Sequence, residues 1–155
     1  MSERSIEELA YALHECFWGE GEDGGVFLES GEPGLLSMLD GLNASEASKP
    51  TAGMSVANHV HHLIFAVDVF MRRAAGDADA FRVDWNTGWR EQPLDDAEWA
   101  KMKKDLAERQ EEVMPLVREW GGKRRLVFGL LTHTVFHLGI IRVKFDVLKD
   151  RRTQA

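Results

Sequence analysis

The chain is poor in cysteine and lacks any long apolar run. Its 155 residues include a single cysteine, Cys16, which excludes an intramolecular disulfide and fits a reducing compartment. We interpret Cys16, which lies among aromatic residues in a helix-like stretch, as a buried and inert thiol. The N-terminal stretch MSERSIEELAYALHE lacks the apolar core of a signal peptide, and no run of about 18 apolar residues occurs. These absences predict a cytoplasmic protein with no membrane partner.

Basic charge is also scarce. The formal net charge is −7, which argues against broad binding to a phosphate backbone, so we expect no nucleic-acid partner. Two short basic patches, at 123–125 and 149–152, are simply interpreted as charges at helix ends. Apolar residues make up 44% and charged residues 29%, the balance of an ordinary globular protein. The length predicts one domain covering residues 1–155.

Apolar periodicity and capping signals predict an all-α chain. Ser5 and Glu8 form a capping-box pattern before the first helix, and Asp95 and Glu98 form another before the third. Ser55 is the expected N-cap of the second helix. Pro115 should kink or loosen the third. The predicted helices cover about residues 6–18, 55–75, 95–120 and 123–148, with a short helical piece near 35–42.

The lengths of the connections suggest a topology. The break at Gly121 and Gly122 is short, so helices three and four should be antiparallel neighbours. The connection between helices two and three is about 19 residues long, which is enough to span the full length of a helix bundle. We therefore predict a four-helix bundle with up-down-down-up topology and long connections after helices one and two. A long loop that folds back would instead make helices two and three antiparallel.

The fourth helix carries a candidate metal-binding pair. In LLTHTVFHLGII, His133 and His137 are four residues apart and therefore lie on one helix face, about one turn apart. That face also carries Leu130 and Ile141, which indicates that both imidazoles point into the bundle. Two such rings can bind one divalent ion with ring nitrogens about 2.0–2.1 Å from it. Histidines that simply pack in the core or lie on the surface also fall at this spacing.

The second helix offers three further candidates in SVANHVHHL. A third imidazole from a facing helix would complete a three-histidine set that leaves a coordination position open. The apolar stripe on this helix is Val56, Val60, Leu63, Val67 and Phe70. His59 lies about 60° from its centre, His62 about 120° on the same side, and His61 on the far side. Periodicity alone therefore favours His59 as the inward group and predicts a solvated His61.

Three motifs in this order resemble the DinB-like superfamily, also called the DinB/YfiT family of metal-dependent enzymes. They are GLLSMLDGLNASEAS, MSVANHVHHLIFA and LLTHTVFHLGII, and with the predicted helix order the resemblance covers most of the chain. The family's His-Leu pair falls on His62 and Leu63, and its second pair falls on His133 and His137. Where the family often has glutamine after the last histidine, this chain has Ile140.

The resemblance implies a homodimeric four-helix bundle that binds nickel or zinc through His62, His133 and His137. Family members with known activity include transferases and isomerases that use low-molecular-weight thiols. We therefore predict a metal-dependent enzyme, either a thiol-dependent transferase or a hydrolase, acting on a small molecule. His59 would serve as a proton shuttle or as a group that contacts the metal ligands, although a histidine at the core edge with a backbone partner is the simpler interpretation.

Two alternatives remain open. The protein could be a non-catalytic metal-binding or stress-response module, since no unmistakable general base or substrate motif is present. The histidines could also simply pack in the core, although clustered imidazoles need hydrogen-bond partners. The connection that carries Trp85 and Trp89 could cover the mouth of the site or pack onto the bundle in the ordinary way.

Overall fold

The computed structural model describes residues 3–19, 25–26, 28–90, 93–120 and 123–153. Within these ranges all regular secondary structure is helical, which confirms the all-α prediction; the one β feature there is an isolated bridge between Gly19 and Pro33. Six α-helices are described: α1 (Glu3–Trp18), α2 (Leu35–Asp40), α3 (Ala44–Ser48), α4 (Val56–Ala74), α5 (Asp96–Glu119) and α6 (Arg124–Thr153). Two short 3-10 helices, η1 (Ala80–Arg82) and η2 (Trp85–Gly88), lie between α4 and α5.

The four long helices are α1, α4, α5 and α6. Helix α1 packs on α5 and α6, and α4 packs on the same two helices. Helices α2 and α3 cover the ends of this arrangement, packing on their long neighbours. Fully buried side chains come from every long helix and from α2; they include Leu13, Phe17, Leu39, Val60, Leu63, Leu106, Leu130 and Ile141.

One predicted neighbour relation is wrong. The sequence suggests that the third and fourth long helices, α5 and α6, pack side by side, but they are not among the main packing pairs in the described ranges; each packs on α1 and α4 instead. A short connection fixes only where two helix ends meet, whereas the apolar faces decide which helices pack along their length. The break at 121–122 itself lies outside the described residues.

The helix boundaries match the predicted ones with three differences. Helix α1 begins at Glu3, so Ser5 lies inside its first turn and not at the N-cap. Helix α6 continues past 148 to Thr153. Helix α3 was not predicted; Asn43 caps it through a capping box with Glu46. A helix this short has little apolar periodicity to detect, so its capping box is the only local signal.

Helix α6 has the length and the apolar composition of a membrane-spanning helix. From Arg125 to Thr153 it is long and apolar enough to cross a bilayer by length and composition, and 44% of the apolar window is buried inside the structure. A helix buried in the core of a globular protein can have the same length and apolar composition. The expectation of no membrane partner therefore stays a prediction.

The start of α4 is held by a capping box, as predicted for Ser55. The Ser55 hydroxyl accepts a hydrogen bond from the backbone N–H of Asn58, and Asn58 Oδ1 accepts one from the backbone N–H of Ser55 at 2.9 Å. The amide nitrogen of Asn58 also donates to the carbonyl oxygen of Arg90, in the segment that follows η2. The first two turns of α4 are thus tied to the connection that approaches them.

A buried lysine holds the loop that precedes α4. Lys144 of α6 is 4% exposed, and its ammonium donates to the carbonyl oxygens of Thr51 and Ala52. Ala52 has a φ of 48°, in the left-handed region that costs a non-glycine residue free energy. The lysine therefore stabilises an unfavourable backbone conformation, and it links α6 to the start of α4.

We expect Ser55→Ala to lower the free energy of unfolding by about 1 kcal/mol, because the first turn of α4 loses the acceptor of its capping box. Urea unfolding followed by circular dichroism measures the change. Ser37→Ala is the matched control, since Ser37 is an exposed residue inside α2 and its replacement should be neutral. Equal stabilities of the Ser55 and Ser37 variants would contradict the role given to the cap.

Candidate metal centre

Three histidines from two helices converge between α4 and α6. His62 of α4 and His133 and His137 of α6 each offer one ring nitrogen, and these three atoms lie within 4.8 Å of one another. The ring centroids are 5.2 Å apart for His62 and His133, 5.0 Å for His62 and His137, and 4.7 Å for His133 and His137. The three residues selected by the resemblance therefore lie close enough together to hold one metal ion.

The local structure explains this convergence. His133 and His137 are one turn apart on α6, on the face that also buries Leu130 and Ile141, and α6 packs along α4. His62 lies in the second turn of α4, just after the capped N-terminus. His62 is 5% exposed and His137 is 2% exposed, whereas His133 is half-buried. His133 is therefore the least buried of the three rings, although its Nε2 is itself buried.

Two buried ring nitrogens of this group lack a protein partner. Nδ1 of His62 and Nε2 of His133 are buried and have no hydrogen-bond partner among the described residues. Nδ1 of His137 lies 3.0 Å from Nδ1 of His59, which leaves Nε2 of His137 for another partner. A buried polar atom without a partner costs about 1–3 kcal/mol. Three converging imidazoles with unpaired nitrogens fit a divalent transition ion, whose usual ligands include neutral imidazole.

His59 lies beside the group and outside it. It is 7% exposed, its Nδ1 contacts Nδ1 of His137, and its ring meets the Trp89 ring edge-on with centroids 5.4 Å apart. This places His59 next to the predicted ligands, as the sequence suggests. The simpler interpretation of His59 gave it a backbone partner. Its Nδ1 instead contacts Nδ1 of His137. One of the two nitrogens donates and the other accepts, so this contact couples the tautomers of His59 and His137.

His61 is outside the group, as predicted, but it is not simply solvated. It is half-buried, and its Nδ1 lies 2.8 Å from the carbonyl oxygen of Gly88. Both His59 and His62 are buried because two sides of α4 are covered, one by α6 and one by the segment around η2. Helical periodicity could not show this second covered side, since it reflects one apolar stripe only.

An aromatic segment covers the histidine group. Trp89 stacks on His62 with ring centroids 4.1 Å apart and an angle of 9° between the planes. Trp85 of η2 lies 6.0 Å from His62 and 6.3 Å from His133, centroid to centroid. Both indoles are half-buried. The connection that carries Trp85 and Trp89 therefore lies over the histidine group. This is the first of the two interpretations given for it above, a cover over the site.

Gly88 lets this segment approach α4 closely. A Cβ atom at this position would lie 2.7 Å from Cδ1 of Phe65 and 3.0 Å from Nδ1 of His62. The φ of Gly88 is not in the left-handed region, so the requirement for glycine is one of space. No sequence signal singled out Gly88, because the close approach is a tertiary contact between segments distant in the chain.

Burial keeps the imidazoles uncharged. Desolvation lowers the pKa of His59 and of His62 to about 4 and that of His137 to about 3, and it also lowers the pKa of His133. Mutual repulsion between the rings contributes further for His62 and His137, and the Lys144 ammonium contributes for His59. At neutral pH all four rings are therefore neutral, the form that binds metal ions.

Comparison with protein-family models, with curated proteins and with solved structures found no match.

We expect the metal-free protein to lose stability as the pH falls from 6.5 to 5. The buried histidines have a pKa lowered from 6.5, so the unfolded chain binds more protons in this window and the free energy of unfolding falls as the pH falls. Each of these three rings contributes up to about 1.4 kcal/mol per pH unit in this window, so the loss should be at least about 2 kcal/mol.

Urea unfolding at the two pH values, with a chelator present, measures this loss. His14→Gln is the control, because His14 is exposed on α1 and its replacement should leave the difference unchanged. His137→Asn should make the difference smaller. A free energy of unfolding that is the same at pH 6.5 and pH 5 would contradict the burial of neutral imidazoles.

We expect Gly88→Ala to destabilise the protein by about 1–3 kcal/mol, since the new methyl group overlaps Phe65 and His62. The near-ultraviolet circular dichroism of Trp89 should change as the indole moves off His62. Gly139→Ala is the matched control: this site in α6 is open, and the change should be neutral or stabilising by up to about 1 kcal/mol. Unchanged stability and spectrum in Gly88→Ala would show that the segment does not pack as closely as described.

Proposed function

We propose that the protein is a metal-dependent enzyme of the DinB-like type, with a nickel or zinc ion held by His62, His133 and His137. The observation that carries this proposal is the convergence of three ring nitrogens within 4.8 Å in a buried, aromatic surrounding. Nδ1 of His62 and Nε2 of His133 add support, because both are buried without a protein partner among the described residues and need one that is not part of the chain. The packing of α1 and α4 on α5 and α6 supports the proposed four-helix bundle. The up-down-down-up direction of its helices belongs to the same proposal.

The bound ion would supply Lewis acidity at a coordination position that three protein ligands leave open. Two tryptophans surround this position. Trp89, stacked on His62, fixes the orientation of that imidazole and excludes water from one side. Trp85 narrows the opening toward His133.

His59 is the proposed proton-holding group. Its Nδ1 and that of His137 share one proton at 3.0 Å, so His59 can accept or release a proton as the charge on His137 changes. Burial lowers the pKa of His59 to about 4, which makes its neutral form the resting state at neutral pH. This is the role of a positioning residue that acts through His137.

The proposed substrate is a small molecule, and the proposed reaction is transfer from a low-molecular-weight thiol or hydrolysis. A small site suits either, because the aromatic cover admits only compact groups. We further propose a cytoplasmic homodimer. The apolar side chains of Phe128, Phe136 and Val143 support dimerisation: they are 60%, 63% and 64% exposed and lie on one side of α6.

The second candidate is a non-catalytic metal-binding module. It is favoured by one specific observation: no carboxylate of the described residues joins the three histidines. A general base other than His59 is therefore missing from the immediate surroundings. Turnover of a panel of small thiols and electrophiles, measured with and without metal, distinguishes the two candidates. Metal-dependent turnover supports the enzyme, and its absence across the panel supports the module.

We expect about one divalent ion per chain in protein purified without an affinity tag. His137→Ala should lower the content severalfold, and the combined His62→Ala, His133→Ala and His137→Ala variant should abolish it, because no ligand remains. Elemental analysis measures the content. His61→Ala is the matched control and should keep the metal, since His61 contacts Gly88 and lies outside the group. Metal retained at full content in the triple variant would overturn the proposed site.

A further inference from the structure

A second concave surface lies beside the histidine group. It is a groove of about 880 Å³ between the end of α4, η1 and the beginning of α6. We call it the basic groove; its lining residues are Phe70, Arg73, Gly76, Phe81, Lys123, Arg125, Leu126 and Gly129. The proposed function uses none of these side chains, so a role for the groove has to come from its own chemistry.

The floor of the basic groove is aromatic and apolar. Phe70 and Phe81 meet edge to face with ring centroids 5.2 Å apart. Phe81 remains 42% exposed, so its ring is available to a ligand. Gly129 brings the α6 backbone close to this floor, since a Cβ there would lie 3.1 Å from Cε1 of Phe70. The floor therefore offers flat apolar contacts to a ligand with a ring or a short alkyl body.

The rim of the groove is positive. Arg73, Lys123 and Arg125 are exposed, and no acidic residue is among the residues that line the groove. Arg73 donates to the backbone carbonyl oxygen of Asp77, and Lys123 donates to that of Ala74. These contacts fix both side chains without neutralising them.

The nearby Asp77 carboxylate is bound mainly by Arg72, outside the groove, and is attracted more weakly by Arg73. The Asp77 carboxylate is bonded to the Arg72 guanidinium at 2.6 Å. Arg125 forms no ion pair in the part of the chain that the structure describes. Because the whole chain carries a net charge of −7, three cations around one apolar floor are a local reversal of its charge.

We propose that the basic groove binds a small anionic ligand with an aromatic or apolar body. Its acid group lies at the rim between Arg73, Lys123 and Arg125, and its body lies on Phe70 and Phe81. Charge complementarity selects the anion, since guanidinium groups form strong charge-assisted hydrogen bonds with carboxylates and phosphates. The size of the groove and the acidic remainder of the surface favour a small molecule over a nucleic acid.

The groove and the histidine group share one wall. The Phe70 ring lies 6.4 Å from the His133 ring, centroid to centroid, and Gly129 is one turn before His133 on α6. A ligand on this floor would therefore contact Phe70, whose ring also packs on His133. Binding in the groove needs no metal, so this proposal goes beyond the proposed function and can be tested separately from it.

The test is calorimetric titration with 4-phenylbutyrate, and with its uncharged amide as the matched ligand, on metal-free protein. We expect the carboxylate to bind at least about tenfold more tightly than the amide. Arg73→Gln combined with Arg125→Gln should weaken the carboxylate about tenfold or more and leave the amide unchanged. Phe81→Ala should weaken both ligands. Circular dichroism verifies the fold of each variant, all of which alter exposed side chains.

A control variant locates the binding site. Lys149→Gln combined with Arg151→Gln also removes two positive charges, at the far end of α6, and it should leave the binding of both ligands unchanged. The proposal is overturned by no detectable binding, by equal loss in this control variant, or by unchanged carboxylate binding in the Arg73 and Arg125 variant. The last result would place the ligand outside the groove.

Discussion

The packing of α4 on α6 places four imidazoles against one another. The surrounding structure depends on which partners the buried ring nitrogens find. Nitrogen atoms of His62 and His133 have no protein partner among the described residues, and His137 has only His59 on one side. Protonation is disfavoured, because burial lowers the pKa of these rings well below 6.5. The remaining way to satisfy the lone pairs is a partner that is not part of the chain, either water or a cation. A set of three convergent nitrogens favours the cation.

The surrounding elements keep this group in place. Ser55 and Asn58 fix the first turn of α4, Lys144 holds the preceding loop from α6, and Gly88 lets Trp89 stack on His62. Two of these contacts join α4 or its preceding loop to other parts of the chain, namely α6 and the segment around η2. The left-handed backbone of Ala52 shows that this attachment has a cost in local conformation. Such a cost is reasonable where the orientation of side chains matters more than the stability of one loop.

The sequence predicted those features that depend on local pattern. The long helices, the caps at Ser55 and Asp95, and the one-turn spacing of His133 and His137 all follow from helical geometry. The choice of His62 came from the resemblance, whereas periodicity favoured His59. Both are buried, because the segment around η2 covers a second side of α4. This is a tertiary contact, which the apolar stripe of α4 alone does not indicate. The same applies to Gly88, to the half-buried His61 and to the packing partners of α5 and α6.

The uneven exposure of the histidine group bears on the choice between an enzyme and a binding module. Trp89 closes the side of His62, and α6 itself buries His137, but His133 is half-buried. A closed structural metal site would be expected to cover all its ligands equally, with four protein donors and no open side. Here three donors are available, and the Phe70 ring connects His133 to the floor of the basic groove. A ligand held in the groove by its acid group would place its apolar body one ring away from His133, which favours the proposed enzyme over the proposed binding module.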